Sequence, residues 1–345
     1  MKRLNKVAFP CAFIVMAMVL ALGLAACGGD DDSSSATGGE IPAEPESGEI
    51  TMGTQPWIGY GPWHVADQEG FFADQGVDVN LTNFTTDNDL NSAFASGKMD
   101  VSNVATHTAL KLIEAGLDAK IVLLEDVSTA ADAILAGPDI GSIEDLEGQR
   151  VAYEEGTTSD ILLRYALQQN GMSIDDVEKV PLPAADAGSA AIAGRVPAAV
   201  TYEPYLTTAL SEDPQFELLY TAGENPGLIS DVLIVSGDAL EERPGQILAL
   251  MRAWQQAIEF YNSDTGPAQS VVADAVGADV GELKTAFEGV EFFDLQQNVD
   301  ELTGSFAEET VPNVVEVGVD AEILGGEPDI DSIIDPRFVE EAAGE

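Results

Sequence analysis

The side chains able to do chemistry in this chain of 345 residues are aromatic rings, hydroxyls and carboxylates, gathered in a few short polar segments. The first segment, residues 53–72, carries two of the three tryptophans, Trp57 and Trp63, with Tyr60 between them among Pro and Gly. Its first half has neither strand nor helix periodicity, so it is predicted as a loop built to present rings. Further polar segments follow at residues 85–88 with Asn88, 103–108 with Thr106, and 126–129 with Asp126. Two more lie at residues 154–159, with Glu154, Thr157 and Thr158, and at 201–205, with Tyr202 and Glu203. Asp231 opens a strand whose other residues are apolar.

Two ligand chemistries compete for this set. Thr, Ser and Asn at helix starts accompany free N–H groups and a partial positive charge, which suits an oxyanion or a carbonyl. Each such residue taken singly is also an ordinary helix cap. The same segments hold no Lys or Arg, yet they hold Asp87, Asp126, Glu154, Glu203 and Asp231. Carboxylates beside Trp57, Tyr60, Trp63 and Tyr202 suit a cation or an amidine. The balance leans to a small nitrogen-containing solute, neutral or cationic, with the anion kept open. No Gly-x-Ser-x-Gly, P-loop, Gly-x-Gly-x-x-Gly or His-Glu-x-x-His occurs. The two histidines, His64 and His107, stand apart in sequence and without a cysteine partner, so no metal, cofactor or catalytic residue is expected.

These segments need elements to position them. From residue 49 short strands alternate with amphipathic helices: strands at 50–53, 77–81, 100–104 and 120–124, with helices at 63–72, 87–96 and 106–115 between them. That order predicts a parallel sheet covered on both faces. A second unit repeats the alternation between residues 131 and 230, with strands at 132–135, 150–153, 177–182, 198–201 and 216–221. Beyond a strand at 231–236 the remainder reads as helical, at 238–261, 266–276, 279–289 and 297–317. Trp254 sits there on an apolar stripe with Ile247, Leu250, Met251 and Ile258, which marks it as core. The polar segments fall at the carboxyl ends of the strands, where open α/β sheets bind ligands.

Composition excludes other classes. Asp and Glu number 61 against 14 Lys and Arg, a formal net charge of −47, which repels nucleic acid and anionic membranes. The acids are spread along the chain, as on a surface adapted to high salt, where screening relieves self-repulsion. The two cysteines, Cys11 and Cys27, lie in an N-terminal stretch with a basic start and an apolar run over residues 7–24. Residues 1–26 are expected to be an export signal. The end of this stretch, Leu24-Ala25-Ala26-Cys27, resembles a bacterial lipobox, which implies lipidation at Cys27. Residues 27–48, rich in Gly, Ser, Asp and Pro, are expected to be a flexible acidic tether.

Several motifs together resemble one family. They are Trp57-Ile-Gly-Tyr-Gly-Pro-Trp63 with Gly70-Phe-Phe72, Ala93-Phe-Ala-Ser-Gly97-Lys-Met-Asp100, Ile143-Glu-Asp-Leu-Glu-Gly148-Gln-Arg-Val-Ala152, Pro183-Ala-Ala-Asp186-Ala187 and Thr201-Tyr-Glu-Pro-Tyr205. Over residues 50 to 340 the chain resembles the nitrate/sulfonate/taurine-type solute-binding proteins of ABC importers. The resemblance implies a two-lobed α/β fold of the type II periplasmic-binding-protein kind, each lobe a mainly parallel sheet flanked by helices. Lobe 1 would comprise residues 49–130 and 231–345, and lobe 2 residues 131–230. The implied ligand sits between lobes that close on a hinge, and Glu203 falls in a segment like a family pocket loop. The implied partners are an ABC permease and ATPase. The protein would be a monomer outside the cytoplasmic membrane, held there by a lipid at Cys27. Such proteins take sulfonates and nitrate, but also pyrimidines and small nitrogenous solutes. A related fold serves thiamine-pyrimidine synthesis with a histidine and a cysteine-rich motif; here only His64 matches, and the sole cysteine past the signal is Cys27. A binding module that senses its ligand without transporting it is the other alternative.

Overall fold

The computed structural model describes residues 41–326 and 328–344. The expected signal, Cys27 and residues 27–40 of the expected tether lie outside the described residues. The end of that tether is fastened to the fold. Glu46 accepts backbone N–H groups of Gly245 (3.1 Å) and Gln246 (2.9 Å) at the start of the helix Pro244–Ser263, and Ala43 O accepts from Arg252. A carboxylate there meets free N–H groups and the positive end of the helix dipole.

Eleven strands form two sheets: β1 Glu49–Thr54, β2 Asp78–Asn83, β3 Val101–Ala105, β4 Ala119–Ser128, β5 Asp132–Ala136, β6 Arg150–Tyr153, β7 Glu178–Pro181, β8 Ala198–Tyr202, β9 Glu217–Thr221, β10 Ser230–Ser236 and β11 Val290–Phe292. The first sheet has the order β11-β4-β10-β3-β1-β2 and the second β7-β6-β8-β5-β9. β2, β1 and β3 pair in parallel, β10 lies antiparallel between β3 and β4, and β11 is antiparallel to β4. In the second sheet β7, β6 and β8 are parallel and β5 runs antiparallel between β8 and β9. Most strands of each sheet therefore point one way, as expected, and one reversed strand is inserted in each. The inserted strands β5 and β10 are those that enter from the other sheet, at residues 129–131 and 222–229, whereas β11, also reversed, pairs only at the edge of the first sheet.

Central strands β3, β5 and nearly all of β10 are buried throughout, as sheets covered on both faces require. Edge strands β2 and β7 keep exposed residues. The long helix Pro244–Ser263 buries the stripe Ile247, Leu250, Met251, Trp254 and Ile258 in the core, as its spacing predicts.

Three expectations fail locally. The helix expected at 63–72 is two, Gly61–Glu69 and Phe71–Asp74, because Gly70 between them takes a left-handed φ of 83°. Residues 279–289 form only a short 3-10 turn before β11, which was not predicted. The helix expected at 297–317 divides into Leu295–Leu302, a π-helical turn at Phe306–Thr310, and Val311–Asp320. Gly304 and Pro312 account for this, since Gly favours breaks and Pro lacks the N–H an uninterrupted α ladder needs.

β11 covers β4 only from Asp126 to Ser128. Just before that, the buried amide of Asn298 takes the place of a strand: its Oδ1 accepts from Leu124 N (2.7 Å) and its Nδ2 donates to Leu124 O (2.9 Å). Asn298→Ala leaves both backbone groups buried without partners. It should lower stability by about 3 kcal/mol in urea unfolding. A loss below about 1 kcal/mol would show that the amide is not what completes this edge of β4.

Candidate functional site

The reversed strands explain how an acidic site is assembled. β5 and β10 run against their neighbours, so their first residues arrive where the neighbouring strands end. Asp231 stands opposite Ala105 on β3 and Asp126 on β4, and Asp132 stands opposite Tyr202 at the end of β8. A cavity of about 20 Å³ lies there. Gln55, Trp57, Tyr60, Asp87 and Asp231 line it from the side of the first sheet, and Asp132, Thr158 and Tyr202 from the side of the second. Across the seam the rings of Trp57 and Tyr202 meet edge to face, centroids 5.6 Å apart at 84°. The aromatic segment can pass so close to β4 because residue 59 is glycine: a Cβ there would overlap Trp57 Nε1 and Asp126 Oδ2.

Three donors of the lining, those of Tyr60, Trp57 and Gln55, already serve carboxylates. Tyr60 Oη donates to Asp231 Oδ1 at 2.7 Å, and Trp57 Nε1 donates to Asp126 Oδ2 at 3.4 Å. The Gln55 amide, oriented to suit its neighbours, donates to Asp87 Oδ1 (2.9 Å) and accepts from Asp87 N (3.0 Å). Glu125, the residue at a β-bulge in β4, turns to the indole of Trp63 (2.8 Å). Asp126 Oδ1, Asp132 Oδ2 and Glu125 Oε2 remain buried with no hydrogen-bond partner. None of the ion pairs found among the described residues involves any of these acids.

Burial penalises their charged forms. It pushes Asp231 up to about 6 from 3.8, against the hydrogen bond from Tyr60. Burial, then repulsion from Glu154 and Asp231, pushes Asp87 up to about 7. Asp126, Asp132 and Glu125 are raised well above the usual carboxylate range, chiefly by burial and further by Asp231.

Of the residues singled out from sequence, the structure brings Trp57, Tyr60, Thr158, Tyr202 and Asp231 to the cavity, with Asp126 directly behind Trp57. Asp126 lies inside β4, not in a loop, because β10 and β11 both pair along this acidic stretch. The others are placed elsewhere. Trp63 is wholly buried, packed on Trp254 (4.8 Å) and stacked on Phe72 (6.2 Å). Thr106 Oγ1 joins β3 to Ser230, and Thr157 Oγ1 donates to Glu154 O within its own turn. Glu203 caps the helix that follows it, accepting from Thr207 N and Oγ1, both at 3.0 Å. Glu154 accepts from Ala184 N (3.0 Å) and, with exposed Asn88, borders a separate recess of about 300 Å³.

Gln55 and Asp132 line the cavity without being among the sequence candidates, Asp87 lines it too although it is named only among the acids of its segment, and Glu125 is also absent from the candidates. Asp132 carries the signal that singled out Asp231, an aspartate opening an otherwise apolar strand. His107 is buried and lowered to about 3 by burial and by Lys111, and neither histidine lines the cavity. Among the described residues no group of three or more His, Cys, Asp or Glu side chains is placed to hold a metal.

The family model described as "NMT1/THI5 like" matches residues 57–265. The chain belongs to the NMT1/THI5-like family. A protein of Brucella abortus (strain 2308) named "Putative binding protein" is 26% identical over 223 residues, 64% of this chain and 69% of the relative. The "Putative aliphatic sulfonates-binding protein" of Escherichia coli (strain K12) is 32% identical over 116 residues, 33% of this chain and 36% of the relative. Among solved structures, the alkanesulfonate-binding protein SsuA of Xanthomonas axonopodis pv. citri, bound to MOPS, superposes with a TM-score of 0.67 at 19% identity. It covers 88% of this chain and 99% of its own. The desulfurization enzyme DSZB also shares the fold, with a TM-score of 0.64 at 15% identity over 86% of this chain and 99% of its own. The fold is thus that of periplasmic binding proteins, mixed α/β with two sheets.

The raised carboxylates fix a pH dependence. Between 3.8 and about 6 or 7 the folded protein holds protons on Asp231 and Asp87 that the unfolded chain has lost. Their contribution to stability therefore falls as pH rises from about 4 to about 7, then levels off. In high salt, where surface repulsion is screened, stability should decline over this window, and Asp231→Asn should flatten the decline. A profile that rises from pH 4 to 7 would contradict the placement of these groups.

Proposed function

We propose that the protein is the extracytoplasmic solute-binding component of an ABC importer. In this reading it captures a small nitrogen- or sulfur-containing organic solute between two lobes and delivers it to a permease. The lobes would divide as residues 49–130 with 231–345, and residues 131–230. What carries this reading is the cavity whose lining comes from both sheets, with Trp57 and Tyr202 meeting across the seam. A ligand seated there touches both lobes at once, so its binding energy favours the form in which they are together.

The relatives' names support the same reading, since one is named for binding and the other for binding aliphatic sulfonates. An enzyme is the weaker alternative, although one neighbour with this fold catalyses desulfurization. The lining holds no histidine, cysteine or lysine to serve as nucleophile or base. An ABC permease and ATPase, a lipid anchor at Cys27, a monomeric state and an acidic surface suited to high salt complete the proposal.

Binding should contract the protein and change its fluorescence. With saturating solute the radius of gyration from X-ray scattering decreases and the tryptophan emission changes. Trp57→Phe should remove most of that emission change, because Trp57 lines the cavity and Trp63 and Trp254 do not. A solute that saturates the protein with neither change would overturn the hinge reading.

A further inference from the structure

We infer that the cleft selects a compact organic cation bearing N–H groups, such as an ammonium, amidinium or guanidinium head, held between Asp132 and Asp231. The inference rests on the solute-binding reading above and names its ligand class.

Three carboxyl groups from three places in the chain, Asp87, Asp132 and Asp231, converge on one cavity, and no Lys or Arg accompanies them. Asp126 stands directly across the strand pair from Asp231. A separate observation concerns bonding. Asp132 is 4% exposed, lines the cavity and has its Oδ2 without a partner. Asp126, wholly buried behind Trp57, leaves Oδ1 in the same condition. A buried acceptor without a donor is costly, and a ligand that supplies N–H groups relieves that cost.

An oxyanion meets the opposite situation. Tyr60, Trp57 and Gln55 already donate to aspartates, which leaves an oxyanion only the hydroxyls of Thr158 and Tyr202 among the side chains of the lining. A sulfonate or nitrate would bring further acceptors, which these carboxyls could meet only by keeping their protons. A metal ion is also poorly served, since no cluster among the described residues is placed to ligate one. The walls of Trp57, Tyr60 and Tyr202 offer π faces, which attract an organic cation. The cavity, about 20 Å³, has room for about one water with the lobes this close, so a head group enters only as they move apart.

The test is isothermal titration of the full chain in high salt. One arm uses guanidinium, methylammonium and putrescine chlorides; the other uses sodium methanesulfonate, taurine and sodium nitrate. At least one cation should bind with unit stoichiometry and contract the protein in scattering, while the anions and zwitterionic taurine should not. Asp132→Asn should weaken that cation on the order of 100-fold, as loss of a charge-assisted hydrogen bond inside a protein does. The variant should stay folded, with a melting temperature at or above that of the unaltered chain. Asp175→Asn, at an exposed carboxylate, should leave binding unchanged. Equal weakening by Asp175→Asn would show diffuse attraction to an acidic surface and overturn the inference. Saturable binding of methanesulfonate, taurine or nitrate with contraction would overturn the inference and leave the solute-binding reading standing. Absence of binding and contraction across both arms would overturn both.

Discussion

Asp126 and Asp231 are register partners on adjacent antiparallel strands, and two like charges so placed repel each other where burial leaves little water to screen them. Asp132, entering from the second sheet, adds a third carboxyl to the same region, with one oxygen unbonded. The fold tolerates this because the groups hold protons more strongly there and because Tyr60, Trp57 and Gln55 each support one aspartate. Much of the local architecture follows from that need. Gly59 lets the aromatic segment reach Asp126, the bulge at Glu125 turns that side chain to Trp63, and Asn298 secures the strand that carries both acids.

The two sheets solve the same topological problem alike. In each, one strand arrives from the other sheet and is inserted against the prevailing direction. Its first residue is therefore delivered to the edge where the remaining strands end, and in both cases an aspartate stands at or next to the start: Asp132 opens β5 and Asp231 is second in β10. The connections that tie the sheets together and the acids that face the cavity are thus neighbours in sequence. A shift of one residue in either register would send the aspartate to the opposite face.

Much of this could be read from residue patterns. Alternating strands and helices gave the two units, and the unperiodic aromatic segment with Trp57 and Tyr60 pointed to the cavity wall. Asp231 stood out against its apolar strand. Asp132 offered the same contrast and was passed over, because in so acidic a chain a single aspartate carries little weight. Trp63 and Trp57 differ only in where the short helix starts, yet one ends in the core and the other at the cavity. Glu203 shows the reverse error: its loop resembled a pocket, but a threonine four residues on takes up its carboxylate. Asp126 falls beyond the strand that local pattern predicts, because its pairing with β10 and β11 comes from residues more than 100 positions away.

A cation held between Asp132 and Asp231 requires these buried carboxyls to ionise as it arrives. Calorimetry of one binding reaction near pH 6, repeated in buffers of different ionisation enthalpy, counts the protons exchanged. An N–H-bearing cation should bind with net proton release, as aspartates raised by burial ionise to meet it. Tight binding of an anionic solute with net proton uptake would contradict the account.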